Sequence, residues 1–331
     1  MRVMIADDNP ETLQRLATTL RAVRGVTLGT CTGDLSATYH AAESRPPQAV
    51  MIAERLTRLP EFEVMQKLFQ ALGIRCVVVA DGDAPQARLA SRLDGSGIRV
   101  THLDASPEEV RQCLLELLLD RSTAVEPPDG PAPCDMAFQP GRLILIGAST
   151  GGVDALIRVL SGFPANCPPT LIVQHTSGTF SAGLARLLDR RTSAHVTEAE
   201  DGIALEPGKI LIAPGKDHHL ELARAGSLRG RLRAEPPRSG HRPSVDALFQ
   251  SAVPVAARVS AAILTGMGRD GAAGMAALRN AGAHTIGQDQ ASSLVYGMPR
   301  AAHEIGAVAI QLPLEEIGPA LLQSCIRRSA A

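Results

Sequence analysis

A serine stands in a glycine-rich turn directly after a buried apolar run. Residues 143–146 are all apolar and predict a strand, and residues 153–160 resume with apolar side chains at helical spacing. The turn between them contains Ser149, in a strand–turn–helix context that can hold a serine exposed as a nucleophile. Phosphate-binding turns of nucleotide folds use the same geometry. This stretch alone therefore leaves two interpretations open, a serine hydrolase and a nucleotide-binding oxidoreductase.

A histidine and an aspartate follow two other predicted strands. The run 170–174 is followed by His175, and the run 261–265 leads through a glycine-rich loop to Asp270. Because the carboxyl ends of parallel strands lie along one edge of a sheet, these side chains can converge with Ser149. Ser149 would then be the nucleophile, His175 the general base and Asp270 the acid that orients the imidazole. This chain order differs from the Ser, Asp, His order of α/β-hydrolases, which favours a different fold.

The composition excludes several other classes of protein. A formal net charge of -1 gives no electrostatic case for binding nucleic acid, and 2% aromatic residues leave little for stacking on bases. No apolar run reaches the length of a membrane span, and the first residues run into a predicted strand without a signal peptide. The six cysteines form no C-x-x-C pair, which argues against a zinc site and favours reduced thiols. We therefore expect a cytoplasmic protein without a cofactor.

Strands alternate with helices along most of the chain. This alternation predicts an α/β protein with two doubly wound parallel-sheet domains. Between them lies a segment with five prolines and no apolar periodicity, which is typical of an extended linker. We expect a domain over 1–121, a linker over 122–141 and a Rossmann-like catalytic domain over 142–331. The catalytic domain should carry a β-hairpin insertion over 210–233.

Two adjacent acids, Asp7 and Asp8, end the first predicted strand. Acids at that edge of a sheet can hold a hard divalent cation, and the alternative is that they are solvated loop residues. The region 1–121 resembles the receiver domain of two-component response regulators. That family pairs such acids with a phosphorylated Asp, a Ser or Thr and a Lys, which end the third, fourth and fifth strands.

This chain departs from the receiver pattern at all three of those positions. The phosphorylation position falls on Ala53 or Glu54, the fourth strand ends in Ala80, and His102 stands near the place of the lysine. Alanine cannot accept a phosphoryl group, and Glu54 could supply only a fixed negative charge. The resemblance therefore implies a degenerate receiver that keeps the fold and has lost its phosphorylation site.

Five motifs in the second half together resemble the CheB family, the chemotaxis protein-glutamate methylesterases. They are Gly147-Ala148-Ser149-Thr150-Gly151-Gly152, Gln174-His175, His241-Arg242-Pro243-Ser244-Val245-Asp246, Leu264-Thr265-Gly266-Met267-Gly268-Arg269-Asp270-Gly271 and Gly297-Met298-Pro299-Arg300. The resemblance implies that Ser149, His175 and Asp270 form the catalytic triad. It also implies that Thr150 and Met267 lie at the oxyanion or substrate site.

The implied reaction is hydrolysis of glutamate γ-methyl esters on the cytoplasmic helices of methyl-accepting chemoreceptors, with release of methanol. Many members also deamidate receptor glutamines, and a chemotaxis histidine kinase is a further implied partner. Two departures stand near the triad. Arg269 replaces an expected Asn, and Thr176-Ser177-Gly178 replaces Met-Pro-Pro after the histidine.

Two other functions remain as alternatives at this point. An oxidoreductase with a Rossmann fingerprint needs an acid after its second strand, where this chain has Gln174 and His175. A signalling scaffold that acts through the degenerate receiver would not need a triad. His218 and His219 are neighbours on a predicted strand and point to opposite faces, so we predict no metal site there. Ser244 stands in the N-cap position of a predicted helix.

Overall fold

The computed structural model describes residues 1–59, 62–80, 98–119, 137–175, 181–215, 217–225 and 227–326. The chain divides into two compact units, Met1–Glu126 and Pro127–Ala331. The division falls inside the predicted linker, 122–141. Near the end of that segment, Phe138 pairs with Ile326, so its last residues pack on the second unit.

The first unit contains a five-stranded parallel sheet in the order β2-β1-β3-β4-β5. This is a doubly wound order, in which the chain switches direction beside the first strand. Its strands are β1 (Arg2–Ala6), β2 (Thr27–Thr32), β3 (Ala49–Ala53), β4 (Arg75–Ala80) and β5 (Arg99–His102). Its helices are α1 (Pro10–Ala22), α2 (Leu35–Ser44), α3 (Phe62–Leu72) and α4 (Pro107–Leu119). The sequence pattern over 85–93 predicts a further helix, and these residues lie outside the described ones.

The second unit contains a seven-stranded parallel sheet in the order β14-β13-β12-β6-β7-β9-β8. Its strands, with the separate hairpin β10–β11, are β6 (Leu143–Ala148), β7 (Thr170–Gln174), β8 (His195–Glu198), β9 (Lys209–Ile212), β10 (His219–Ala225), β11 (Ser227–Arg233), β12 (Val259–Ile263), β13 (His284–Gln288) and β14 (Ile310–Leu312). Its helices are α5 (Gly152–Leu160), α6 (Ser181–Asp189), α7 (Val245–Ser251), α8 (Ala272–Asn280), α9 (Met298–Glu304) and α10 (Leu314–Gln323). The predicted α/β class with two parallel sheets is confirmed.

The central strand β6 is the switch point of this sheet. The chain leaves it for β7 on one side and later returns to β12 on the other. Every residue of β6 is buried, as expected for a strand covered on both faces. In open α/β sheets, sites form outside the carboxyl ends of strands at such a point, and Ser149 follows directly after β6.

One predicted strand pairing is wrong. The sequence predicts a hairpin over 210–233, but its first part is β9 of the main sheet and the hairpin consists of β10 and β11. Ile210, Leu211 and Ile212 are consecutive and fully buried, which is the pattern of an interior parallel strand. The hairpin itself is a separate two-stranded sheet whose Leu220 and Leu222 join the core of the second unit. Within the described residues no helix has the length and apolar character needed to cross a membrane.

Candidate active site

Ser149 follows the central strand β6, between the ends of the two neighbouring strands, β12 and β7. The backbone N–H of Ser149 donates to the carbonyl of Thr265, beyond β12, at 3.0 Å. On the other side, the N–H of His175 donates to the carbonyl of Ala148 at 3.1 Å. The register of the parallel sheet thus brings the serine, the histidine and the loop that leads to Asp270 to one edge.

The turn after β6 holds the backbone of Ser149 tightly. Its carbonyl accepts from the N–H of Gly152 at 2.7 Å and from the side-chain amide of Gln174 at 2.8 Å. Gly151 has φ 85, a left-handed conformation that favours glycine. A side chain at Gly152 would collide with the amide oxygen of Gln174. Gly151 is therefore needed for its left-handed backbone conformation, and Gly152 for the close approach of the Gln174 side chain.

Gly266 brings the backbone after β12 against the serine. A Cβ atom at this position would lie 2.6 Å from the Cβ of Ser149 and would also strike the sulfur of Met298. The preceding Thr265 fixes the same backbone, since its hydroxyl donates to the carbonyl of Thr150 at 2.9 Å and its N–H donates to Gln288 at 2.7 Å. Sequence reasoning missed Gly266 as a packing requirement of the serine.

His175 and Asp270 form a buried pair. The Nε2 atom of His175 lies 2.8 Å from Oδ2 of Asp270, and the two side chains are 8% and 0% exposed. Because an ionised carboxylate only accepts, this contact places the ring proton on Nε2. The Nδ1 atom is buried and has no hydrogen-bond partner within the described residues. Nδ1 is therefore the nitrogen that is free to accept a proton.

The serine hydroxyl and this nitrogen make no hydrogen bond within the described part of the chain, although their backbones are adjacent. In the familiar protease arrangement the aspartate holds Nδ1 and the base is Nε2. Here the two nitrogens exchange these places. The residues that follow the histidine, 176–180, lie outside the described residues, and with them the substitution at Thr176-Ser177-Gly178.

Asp270 accepts three further hydrogen bonds from the start of α7. The Ser244 hydroxyl donates at 2.8 Å, the Val245 N–H at 2.8 Å and the Asp246 N–H at 3.1 Å. Burial raises the pKa of Asp270, but the hydrogen bond and charge of His175, with the Val245 and Ser244 donors, outweigh it and hold that pKa below its ordinary value. Asp270 is therefore ionised and able to stabilise an imidazolium.

The predicted N-cap at Ser244 is confirmed, since its hydroxyl accepts from the N–H of Ala247 at 3.3 Å. The sequence did not reveal that the same hydroxyl donates to Asp270. The motif from His241 to Asp246 contains this serine, but no local pattern links its hydroxyl to the acid.

The ring of His241 stacks on the ring of His175. The ring centroids are 3.8 Å apart and the planes differ by 7°. Burial, together with the positive charge of His175, lowers the pKa of His241, and the charge of Asp270 opposes that effect. Sequence reasoning gave this histidine no role in catalysis.

Two backbone N–H groups beside the serine are available to a ligand. The N–H groups of Thr150 and Met267 donate to no acceptor within the described residues. Thr150 is buried, whereas Met267 is 63% exposed and Arg269, two residues later, is also exposed. Paired N–H groups near a nucleophile can bind a developing oxyanion.

The acidic pair of the first unit binds an arginine of the same unit. The guanidinium of Arg55 forms ion pairs with both Asp7 and Asp8. The second carboxylate oxygen of Asp7 is buried without a hydrogen-bond partner in the described part of the chain. A guanidinium between the two acids takes the place that a divalent cation would need, so these residues do not fit a bound metal.

The positions predicted to have lost phosphorylation lie beside this arginine. Ala53 ends β3, and Glu54 begins a 3₁₀ helix, Glu54–Arg58. Glu54 is buried, and its carboxylate lies 2.6 Å from the guanidinium of Arg58. Its negative charge is thus already paired.

The adjacent histidines of the second unit do not form a metal site. His219 is fully buried, and its Nε2 atom lies 3.0 Å from the carbonyl of Pro236. Its Nδ1 accepts from the N–H of Ser244 at 3.1 Å, so both ring nitrogens have partners. Among the described residues, no group of three or more His, Cys, Asp or Glu could hold a metal ion.

Comparison with known proteins identifies the family. The family described as CheB methylesterase matches residues 144–321, which include all the strand ends described above. The chain belongs to the CheB methylesterase family. Its CheB domain contains β6 to β14 and every residue of the Ser149, His175 and Asp270 set.

Relatives extend this similarity to the whole chain. The chain is 37% identical to protein-glutamate methylesterase/protein-glutamine glutaminase 1 of Caulobacter vibrioides, over 97% of both chains. It is 38% identical to protein-glutamate methylesterase/protein-glutamine glutaminase of Agrobacterium fabrum, over 97% of this chain and 96% of the relative. The CheB methylesterase catalytic domain of Thermotoga maritima matches with a TM-score of 0.54 and 36% identity, over 56% of this chain and 98% of that domain.

Proposed function

We propose that this CheB family member is a serine hydrolase that demethylates glutamate γ-methyl esters on the cytoplasmic helices of chemoreceptors, and that it also deamidates receptor glutamines. The single observation that carries the chemistry is the His175–Asp270 pair, buried and 2.8 Å apart, beside Ser149 at the switch point of a parallel sheet. The names of the full-length relatives supply the substrate class. The geometry does not favour the oxidoreductase or the pure scaffold, since neither uses this pair.

The first step forms an acyl-enzyme. The Oγ atom of Ser149 attacks the ester carbonyl carbon, and its proton passes to Nδ1 of His175, which has no competing partner among the described residues. Asp270 stabilises the resulting imidazolium through Nε2. The tetrahedral intermediate then expels the methoxy group, which takes the proton from Nδ1 and leaves as methanol.

The second step releases the product and regenerates the serine. Water attacks the acyl carbon while Nδ1 of His175 takes its proton, and the same proton then returns to Oγ of Ser149 as the glutamate carboxylic acid leaves and ionises. Glutamine follows the same route with ammonia as the leaving group. In apo structures the hydrogen bond from nucleophile to base is often not yet formed, which is consistent with the geometry here.

We assign oxyanion binding to the backbone N–H groups of Thr150 and Met267. Both lie beside the serine and lack an acceptor within the described residues. Such donors act where charge develops, and the loss of one typically costs about 10²–10³-fold in kcat. Arg269, exposed two residues after Met267, would contact the substrate from the same loop.

The test of this function is product analysis. Full-length protein is incubated with methylated chemoreceptor fragments, and released methanol is measured, with ammonia measured in parallel from fragments that carry glutamine. Hydrolysis that depends on Ser149 supports the proposal. Absence of methanol release from methylated fragments would refute the substrate, and full activity without Ser149 would refute the mechanism.

We further propose that 1–121 is a degenerate receiver, joined by the linker 122–141 to a catalytic domain over 142–331. Control would then come from protein binding to the first domain in the cytoplasm, with the chemotaxis histidine kinase as one candidate partner. The Arg55 pairing with Asp7 and Asp8 supports this, because it leaves no place for the cation on which phosphotransfer to a receiver depends. Small-molecule phosphodonors with Mg²⁺ should leave the esterase rate unchanged, and clear stimulation would refute the proposal.

A further inference from the structure

The turn that carries His241 is built to keep this residue in one place. Ser239 and Gly240 have φ 51 and φ 80, both positive, as a two-residue type I′ turn requires. Arg238 and His241 flank the turn and exchange both backbone hydrogen bonds, at 3.0 and 2.9 Å. The Ser239 hydroxyl also donates to the Asp246 carboxylate at 3.1 Å. The imidazole of His241 is thus carried on a short, closed hairpin.

The same short segment contacts both members of the base–acid pair. His241 covers one face of the His175 ring, and three residues later the start of α7 begins to donate to Asp270. The carboxylate therefore receives its hydrogen bonds from the segment that also supplies the stacked ring. Residues 238–246 therefore contact the face of the His175 ring and donate hydrogen bonds to both carboxylate oxygens of Asp270.

A single hydrogen bond does not fix an imidazole ring. Asp270 holds His175 at Nε2, and Nδ1 has no partner within the described residues. A ring held at one atom can still tilt about that contact, and a tilt moves Nδ1 away from the serine. A second ring lying parallel at 3.8 Å restricts this motion, since tilting would open the stack or produce a clash.

We propose that His241 is a positioning residue, whose ring stacks on His175, fixes the plane of the imidazole and thereby directs Nδ1 towards Ser149. This inference rests on the proposed hydrolase function. The flat face of an aromatic ring is also suited to a neighbour that becomes positively charged during the reaction, because the face of a ring attracts cations. The role needs a planar ring and needs no proton transfer by His241 itself.

The test compares three substitutions at this position in the full-length protein. His241→Phe keeps a planar ring, His241→Leu keeps apolar volume without a ring, and His241→Ala removes both. The substrate is a synthetic peptide with a glutamate γ-methyl ester, and kcat and KM are measured separately. In His241→Ala and His241→Leu we expect kcat to fall about tenfold, which corresponds to about 1.4 kcal/mol, with KM within about twofold of wild type. In His241→Phe we expect kcat within about threefold of wild type.

Nitrogen-15 NMR of the labelled imidazoles gives a readout independent of activity. Wild type and His241→Phe should show one tautomer of His175 with its proton on Nε2, and His241→Ala should show exchange broadening or a mixture. Rescue by Phe together with this spectrum supports the proposal. Wild-type kcat in both Ala and Leu variants, or equal losses in Phe and Ala variants, would overturn it. Failure of wild type to hydrolyse the peptide would instead count against the proposed hydrolase function.

Discussion

Asp270→Asn removes the charge of the buried acid with little change in its shape, so it tests the base–acid pair directly. Asp270 accepts from His175, Val245, Ser244 and Asp246, with two donors on each oxygen. An asparagine has one carboxamide oxygen, so its NH₂ group must face a backbone N–H, either that of Val245 or that of Asp246. If the NH₂ group faces His175, it donates to Nε2 and forces the ring proton onto Nδ1, where the base must be free.

The expected magnitude follows from these contacts. A wrong tautomer and the loss of the ion partner should lower kcat about 10⁴-fold, which corresponds to about 5.4 kcal/mol. One buried backbone N–H loses its acceptor, which should lower the free energy of unfolding by about 1–3 kcal/mol. Hydrolysis of a glutamate γ-methyl ester peptide measures the first effect, and urea unfolding measures the second.

Asp201→Asn is a matched control, because Asp201 is exposed and accepts from the backbone N–H of Leu232 at 2.9 Å without contact to the site. It removes the same charge and should keep wild-type kcat. If folded Asp270→Asn protein hydrolysed the ester within tenfold of wild type, the assignment of Asp270 as the orienting acid would be wrong.

Three further predictions concern packing, pH and the first domain. Gly266→Ala should lower kcat by at least about a hundredfold, because its Cβ would lie 2.6 Å from that of Ser149. The control Gly162→Ala, which has open space around its Cβ, should keep the wild-type kcat. Equal rates in the two variants would refute the packing argument. The pKa of His241 in the folded protein is lowered from 6.5, so folding favours the neutral ring. Wild type should therefore lose stability relative to His241→Phe as pH falls from about 7.5 to about 5, as measured by urea unfolding. Parallel pH curves for the two proteins would contradict this. Arg55→Gln frees Asp7 and Asp8 from their ion pairs, so in calorimetry it should bind Mg²⁺ at least about tenfold more tightly than wild type. The control Arg58→Gln, which breaks the ion pair with Glu54, should bind Mg²⁺ as wild type does. Equal Mg²⁺ affinity in all three proteins would show that Arg55 does not fill that site.

The sequence could predict the strands that carry the site because their signals are local. The apolar runs before Ser149 and His175 are short, buried and followed by glycine or polar residues, and they became β6 and β7. The run before Asp270 became β12 in the same way. Parallel strands share a carboxyl edge, so the expectation that these side chains meet needed only the strand assignments.

The rest of the site depends on contacts between residues that are distant in the sequence. Ser244 and Val245 reach Asp270 across 26 and 25 residues, and no local pattern indicates that a helix start donates to that particular acid. The stacking of His241 on His175 likewise depends on how a hairpin folds back on the sheet. The Arg55 ion pairs with Asp7 and Asp8 span 48 and 47 residues and depend on the direction of a 3₁₀ helix.

Short and edge strands were the weakest part of the sequence prediction of the fold. β8 and β14 have four and three residues, mostly partly exposed, so their apolar pattern is too brief to distinguish a strand from a loop. The hairpin predicted over 210–233 includes β9, which instead pairs with β7 and β8 of the main sheet. The wrong pairing of β9 left the site prediction unchanged because this strand carries no candidate catalytic residue.

Ser149 is the proposed nucleophile of an ester hydrolase. The most direct measurement is methanol release from a methylated chemoreceptor fragment by wild type, Ser149→Ala and the control Ser161→Ala, whose hydroxyl donates to the carbonyl of Arg158 on the surface of the second unit. We expect Ser161→Ala to match wild type and Ser149→Ala to lose about a thousandfold or more while remaining folded. Methanol release by folded Ser149→Ala within tenfold of wild type would rule out Ser149 as the nucleophile.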